Sequence, residues 1–427
     1  MDMMTNTASS SGGLPSPAHV NSEGPKVLRA GYIPLVDASV LIAAAEFGFA
    51  QKEGLTLDLV KDVSWANVRD RLAFRQFDIA HMLSPMPVAS MLGLGSNPSP
   101  TITPFSLGRG GNAITLSTRL FDRMRDDARL PEMASALDNA HALAQTIAAI
   151  KARGAPLPTF GVTYPFSSHN YEFRYWLAAG GIDPDRDVKL VVVPPPLTSD
   201  ALAAGAIDGF CVGAPWNMVA SERGVGRIVA AKQDIWPSAP EKVIGMRPDW
   251  AESHPETVSR LIVALDAAAR WCDMPDNHDA LAAVLADPRY IAAPVGIIRR
   301  VLAGEFNLDA KGNRRIIADY FQFHSGFANY PRPSHALWIY SQMIRWGQAE
   351  TSLNKARAAA SAYRPDVYRR ALGDANAPDD ADIRIEGNDE GDCFMDGHVF
   401  DPAELPDYVA SFAVKSALPF APHSDET

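Results

Sequence analysis

Two stretches of this chain carry the same short pattern. In the first, Ser64-Trp65-Ala66-Asn67-Val68-Arg69-Asp70-Arg71-Leu72 starts a helix, and Phe77-Asp78-Ile79-Ala80-His81-Met82 follows as a short apolar strand. In the second, Ser199-Asp200-Ala201-Leu202-Ala203-Ala204 is again helical, Gly205-Ala206 is a small linker, and Asp208 precedes the apolar run Gly209 to Val212. A unit that recurs with Asp78 and Asp208 in equivalent places predicts two similar α/β lobes facing one another, not a solenoid. The first lobe opens as a βαβ unit. Val27 to Ile33 alternates like a strand and meets Pro34. A helix follows, with Asp37 as its candidate cap and an apolar face of Val40, Leu41, Ala44, Ala45 and Phe47 to Phe49. Leu55 to Val60 then alternates again. In such units a ligand site lies at the carboxyl ends of the strands.

The rest of the chain fits a two-lobed plan. Asn112 to Ser117 reads as a strand after Gly110-Gly111, a pair that suits a tight turn or a close approach of backbone to ligand. Residues 118–158 are polar and helical, and Phe160 to Thr163 is the next strand. Val188 to Val193 reads as a buried strand ending on Pro194-Pro195-Pro196, a rigid wall, and Ile228 to Ala230 as one more short strand. Glu241 to Met246 can return the chain to the first lobe, after which His254 to Cys272, Asp279 to Leu285 and Trp338 to Trp346 have helical spacing. The acidic stretch 373–392 reads as a linker or loop, and Cys393 to Pro402 as a terminal docking segment. The expected division is a tail over 1–25, lobe 1 over 26–117, lobe 2 over 118–242, the second part of lobe 1 over 243–412, and a tail over 413–427.

Composition excludes several classes of function. A net charge of -11 argues against sequence-independent binding to a phosphate backbone, which needs a basic surface. No run approaches the roughly 18 apolar residues of a membrane span. Cys211, Cys272 and Cys393 are odd in number and lack metal-type spacing. The first 25 residues hold no Lys or Arg and no apolar core of a secretory signal, so a cytoplasmic location is expected.

No paired-carboxylate, Ser/His/Asp, P-loop or metal-ligand motif stands out, so no enzyme, cofactor or metal is expected. What recurs is one polar or aromatic residue at each element end facing the presumed cleft: Trp65, Asn112, His169 and Lys242. Indole N–H, amide, imidazole and ammonium form a donor set with no obvious carboxylate, which suits a small oxyanion. His169 also sits with Ser167 and Ser168 at a helix N-terminus, where unpaired N–H groups favour an anion. An ordinary reading stands beside each: Ser167 or Ser168 as a cap supported by Glu172, Trp65 as core, Asn112 as a turn residue, Lys242 as a surface charge.

Several motifs in order carry a resemblance: Arg29-Ala30-Gly31-Tyr32-Ile33-Pro34-Leu35, Ser64-Trp65, Ala80-His81-Met82-Leu83, Gly111-Asn112-Ala113-Ile114-Thr115-Leu116-Ser117, Arg174 to Ile182, Cys211-Val212-Gly213-Ala214-Pro215-Trp216-Asn217, and Asp396-Gly397. Over about residues 26 to 412 the chain resembles the nitrate- and bicarbonate-binding proteins of ABC importers, and more closely their cytoplasmic relatives, the nitrate/nitrite sensors of the NasS type. The resemblance implies a type II periplasmic-binding-protein fold, two α/β lobes joined by a hinge. It puts Trp65, His169 and Lys242 on nitrate-contacting positions, with the backbone at Asn170 and Val212 and the wall of Pro195 completing the pocket. Asn112 stands where nitrate binders commonly have Gln, so its amide reaches less far. Ala214 stands where transport proteins often have the Glu that helps hold calcium in bicarbonate binders, which argues against a calcium-assisted bicarbonate site. The implied function is a sensor that closes on nitrate or nitrite and then releases an RNA-binding ANTAR-domain antiterminator of the NasT type. The alternatives are a receptor subunit of an ABC importer and, from another class, a thiamine-pyrimidine precursor synthase.

Overall fold

Lys26–Tyr32 (β1) is a strand because its apolar residues alternate until Pro34 ends the ladder, and its side chains become fully buried toward the carboxyl end. This computed structural model describes residues 26–95, 99–380 and 382–416. The strands that follow are Leu55–Lys61 (β2), Ile79–Leu83 (β3), Ile102–Ser106 (β4), the two-residue Arg109–Gly110 (β5), Asn112–Ser117 (β6), Thr159–Val162 (β7), Lys189–Val192 (β8), Gly209–Gly213 (β9), Gly226–Ala231 (β10) and Lys242–Met246 (β11). All of these but β5 form two five-stranded sheets, ordered β2-β1-β3-β11-β4 and β10-β6-β9-β7-β8. β1 runs parallel to β2 and β3, and β7 parallel to β8 and β9. β11 returns from the second lobe to lie antiparallel between β3 and β4, with Lys242 opposite Leu83. The expected two-lobed α/β architecture is present.

The repeat has a structural basis. Asp78 Oδ2 accepts the Arg29 N–H at 2.9 Å, and Asp208 Oδ2 accepts the Thr159 N–H at 3.0 Å. In both lobes this carboxylate precedes a central strand and fixes the start of its parallel neighbour, with Ala30 opposite Ile79 and Phe160 opposite Gly209. One short residue type thus sets the register of both sheets.

One expectation is corrected and two are made specific. Val188 to Val193 does not form a buried strand: β8 is the edge of the second sheet, and Val192 is 57% exposed. A run of valines has the same signature at an edge as in a core, because β-branching favours either. Gly110 and Gly111 have positive φ, as a tight turn requires, and β5 pairs with Phe321–Gln322; a Cβ on Gly110 would meet the Tyr320 carbonyl. The described residues of the stretch 373–392 form the expected loop, and side-chain contacts hold it to the body. Asp382 accepts from Arg369 and Tyr330, and buried Glu386 accepts from Ser334 and Arg384.

The carboxyl-terminal segment packs on the second lobe. Phe394 stacks on Trp236 at 4.5 Å and on Tyr175 at 5.7 Å, while Asp396 Oδ1 accepts from the Tyr175 hydroxyl at 2.7 Å. Such ring pairs contribute about 0.5–1.5 kcal/mol beyond the area they bury. Nearer the cleft, the lobes touch where Val36 N–H donates to Ala214 O at 3.0 Å and Arg69 Nη1 to the Tyr164 hydroxyl at 2.7 Å.

Candidate functional site

Four of the expected residues begin elements that meet between the two sheets. Trp65 is the first residue of helix Trp65–Ala73, whose N-terminus is capped by Ser64 Oγ accepting from Asn67 N–H at 3.1 Å. Asn112 opens β6, Lys242 opens β11, and His169 lies in the first turn of helix Ser168–Ala179. None of the four side chains is more than 1% exposed. The Lys242 ammonium lies 5.8 Å from the Trp65 ring centre, and the Trp65 ring meets His81 edge-on at 5.2 Å.

The expectation of a set without carboxylates is overturned. Asp37, Glu172 and Glu241, each at most 4% exposed, stand among the donors. Asp37 does not cap the helix that follows it. Its Oδ2 lies 2.7 Å from Lys242 Nζ and its Oδ1 3.1 Å from His81 Nε2. Glu241 contacts the Lys242 ammonium through Oε1 and accepts from the Asn112 amide through Oε2, and that amide also donates to Glu172 Oε2 at 2.9 Å. Lys242 is therefore not a free positive charge awaiting a ligand. Burying it without counter-charges would cost several kcal/mol.

The charges follow from burial and pairing. Burial pushes the Asp37 carboxyl up, but Lys242 and His81 outweigh it and hold it at about 2. Burial pulls the Lys242 ammonium down, yet Asp37 and Glu241 keep it above its ordinary range. Burial, followed by repulsion from Glu241, raises Glu172 to about 8, so it is mostly protonated at neutral pH. Burial also raises Glu241, opposed by Lys242. His169 is held well below its usual range by burial and by Lys242, and is neutral.

Some polar atoms in this cluster have no hydrogen-bond partner although they are buried: Trp65 Nε1, His169 Nε2, Asn112 Oδ1 and Glu172 Oε1. His169 Nδ1 lies 3.0 Å from Thr163 Oγ1. With Thr163 donating there, the neutral ring carries its proton on Nε2, which faces Glu241 Oε1 at 3.7 Å. An orphaned buried donor costs about 1–3 kcal/mol, so two of them beside an ammonium mark a place built to receive an acceptor. Gly213 leaves the floor bare: a Cβ there would stand 2.9 Å from Asp37 Oδ2 and 3.6 Å from His169 Nε2.

The other three expected residues are occupied locally. Asn170 N–H donates to Ser167 Oγ at 3.0 Å, so the capping reading of Ser167 holds, and Asn170 Nδ2 donates to Pro165 O at 2.8 Å. The Val212 carbonyl accepts from Asn217 Nδ2 at 2.7 Å, and the carbonyl of buried Pro195 accepts from Thr198 Oγ1 at 2.8 Å. The residues missed by sequence reasoning left signals. Asp37 follows the carboxyl end of β1, where ligand sites collect, and His81 interrupts an otherwise apolar buried strand.

The profile of the NMT1-like family matches residues 21–286. The nitrate import ATP-binding protein NrtC of Synechocystis sp. (strain PCC 6803) is 36% identical over 392 residues, 91% of this chain but 55% of that protein, so the chain spans about half the length of this relative. The nitrate/nitrite binding protein NrtA of Nostoc sp. (strain PCC 7120) is 31% identical over 396 residues, covering 91% of this chain and 86% of NrtA. The crystal structure of the periplasmic nitrate-binding protein NrtA from Synechocystis PCC 6803 superposes with a TM-score of 0.82 at 28% identity, over 91% of this chain and 99% of that one. Matched over most of its length by the sequence and the fold of NrtA, and by the family profile across both sheets, the chain belongs to the NMT1-like family and has the periplasmic-binding-protein fold.

Proposed function

We propose that this protein is a non-catalytic receptor for nitrate or nitrite, holding the anion between its lobes. The observation that carries the reading is the pair of buried, unpartnered donors Trp65 Nε1 and His169 Nε2 beside the Lys242 ammonium. Those donors come from different lobes, so an anion bound to both favours the closed arrangement, which is what coupling ligand to lobe closure requires. The likeness to NrtA, named as a nitrate/nitrite binding protein, supports the ligand class.

Two outputs fit such a receptor. In the sensor reading, the ligand-free protein sequesters an ANTAR-domain antiterminator in the cytoplasm and releases it when nitrate or nitrite binds, which controls nitrate-assimilation genes. In the importer reading, the protein delivers the anion to an ABC transporter, and the match to 86% of NrtA favours it. Calorimetric titration with nitrate, nitrite and bicarbonate tests the ligand: binding of either nitrogen oxyanion is expected, and binding of bicarbonate alone would overturn the reading. Co-purification with an ANTAR-domain protein separates the outputs. Loss of the complex on adding nitrate or nitrite supports the sensor, and a complex that never forms or never releases overturns it.

A further inference from the structure

The groups expected to hold the anion already hold one. The Asn112 amide donates to Glu241 Oε2, the Lys242 ammonium contacts Glu241 Oε1, and His169 Nε2 faces the same Oε1 at 3.7 Å. A carboxylate is a planar O–C–O group with a delocalised negative charge, the same shape and charge that nitrite and one edge of nitrate present to hydrogen-bond donors. On the far side of the Glu241–Lys242 pair, a cavity of ≈ 10 Å³ beside Asp37, Arg109, Glu241 and Lys242 has room for about one water molecule. We propose that Glu241 is an intramolecular competitor that occupies the anion seat in the ligand-free protein, and that nitrate or nitrite binds by displacing its carboxylate from Lys242 and Asn112. This rests on the reading of the site as a nitrate or nitrite receptor.

The displaced group stays buried. Glu241 is 2% exposed, and the titratable groups facing it from the surrounding elements are Asp37, Glu172, His169, Cys211, Lys232, Tyr320 and Tyr363 besides Lys242, with Arg109 lining the same small cavity. Two of these are carboxyls, and the cations are Lys242, which the ligand takes over, Lys232 and Arg109. Once separated from Lys242, a carboxylate that pairs with neither Lys232 nor Arg109 takes up a proton, because a buried, unpaired charge is costlier than a neutral acid. Burial already raises Glu241 toward that state in the unliganded protein. Anion binding then draws a proton from solution, and affinity falls as pH rises.

The test is calorimetric titration of the full chain and of Glu241→Gln with sodium nitrate and sodium nitrite between pH 6 and pH 9. The amide keeps the size of the side chain but removes the charge that competes for Lys242. At pH 8.5 the variant should bind at least about tenfold more tightly than the wild type, with a shallower dependence on pH. Binding by the variant where the wild type shows none supports the inference equally. A wild type that binds while a folded Glu241→Gln binds no better overturns the inference and leaves the receptor reading standing. Absence of binding in both overturns the two together. Should the variant lack a cooperative melt, wild-type titrations in buffers of different ionisation enthalpy decide: net proton uptake per anion supports competition by Glu241, and none overturns it.

Discussion

Asp37 Oδ2 sits 2.7 Å from Lys242 Nζ, joining the turn after β1 to the first residue of the strand that returns from the second lobe. Both side chains are at most 4% exposed, so each charge depends on the other. Removing one partner leaves a buried charge uncompensated, at a cost of roughly 3–5 kcal/mol. Lys242→Met should therefore lower unfolding stability by about that amount in urea titrations. The double variant Asp37→Asn with Lys242→Met should recover much of the loss. A double variant no more stable than Lys242→Met would show that the pair is not coupled.

Anion affinity should separate the same residues in a different order. Lys242→Ala leaves the ligand without its counter-charge, whereas Asn112→Ala removes one neutral donor. Nitrate affinity should drop far more in the lysine variant. Similar dissociation constants for the two would count against Lys242 as the charge that holds the anion.

Thr163 governs the direction in which His169 donates. Replacing Thr163 with Val removes the hydroxyl 3.0 Å from Nδ1 and frees the ring to change tautomer. Nitrate affinity should weaken roughly 2- to 10-fold, the range of one ordinary hydrogen bond. His169→Phe should lose more, since no donor remains. Unchanged binding in both would exclude Nε2 from the ligand.

Glu172 makes stability depend on pH. Its folded value of about 8 lies above the ordinary 4.5, so the folded state keeps a proton that the unfolded chain has released in that window. Its contribution is full below pH 4.5 and is lost as pH rises toward 8. Glu172→Gln keeps the neutral form at every pH, so its thermal midpoint relative to wild type should rise between pH 5 and pH 9. A difference independent of pH would refute the raised value.

Gly213 is required by space. Gly213→Ala places a methyl 2.9 Å from Asp37 Oδ2, tighter than real contacts allow, and 3.5 Å from Asn112 Oδ1. Nitrate affinity should fall at least about tenfold, near 1.4 kcal/mol, while the cooperative melt remains. Affinity equal to wild type would place the anion elsewhere in the cleft.

The repeat around Asp78 and Asp208 was legible because it is local: an acid before an apolar strand, twice, with the bonds to Arg29 and Thr159 following from parallel pairing. Trp65, Asn112, His169 and Lys242 were legible as polar or aromatic residues at element ends. Their partners were not. Asp37 reads equally well as a helix cap, and Glu241 as a surface acid, because neither environment is encoded within a few residues. The valines of β8 misled for the same reason, since edge and centre of a sheet share one pattern.

The sequence by itself determined the two α/β lobes, the positions of most strands and the polar and aromatic residues at the element ends between them, all properties of periodicity and residue type. Tertiary structure alone decided the charge of the site. By bringing Asp37 and Glu172 from distant stretches to Lys242 and Asn112, and by turning Glu241 onto both, it made an expected donor-only pocket a buried, charge-paired cluster. Electrostatic energy depends on distance and burial, and both are set by the fold and not by neighbours in the chain.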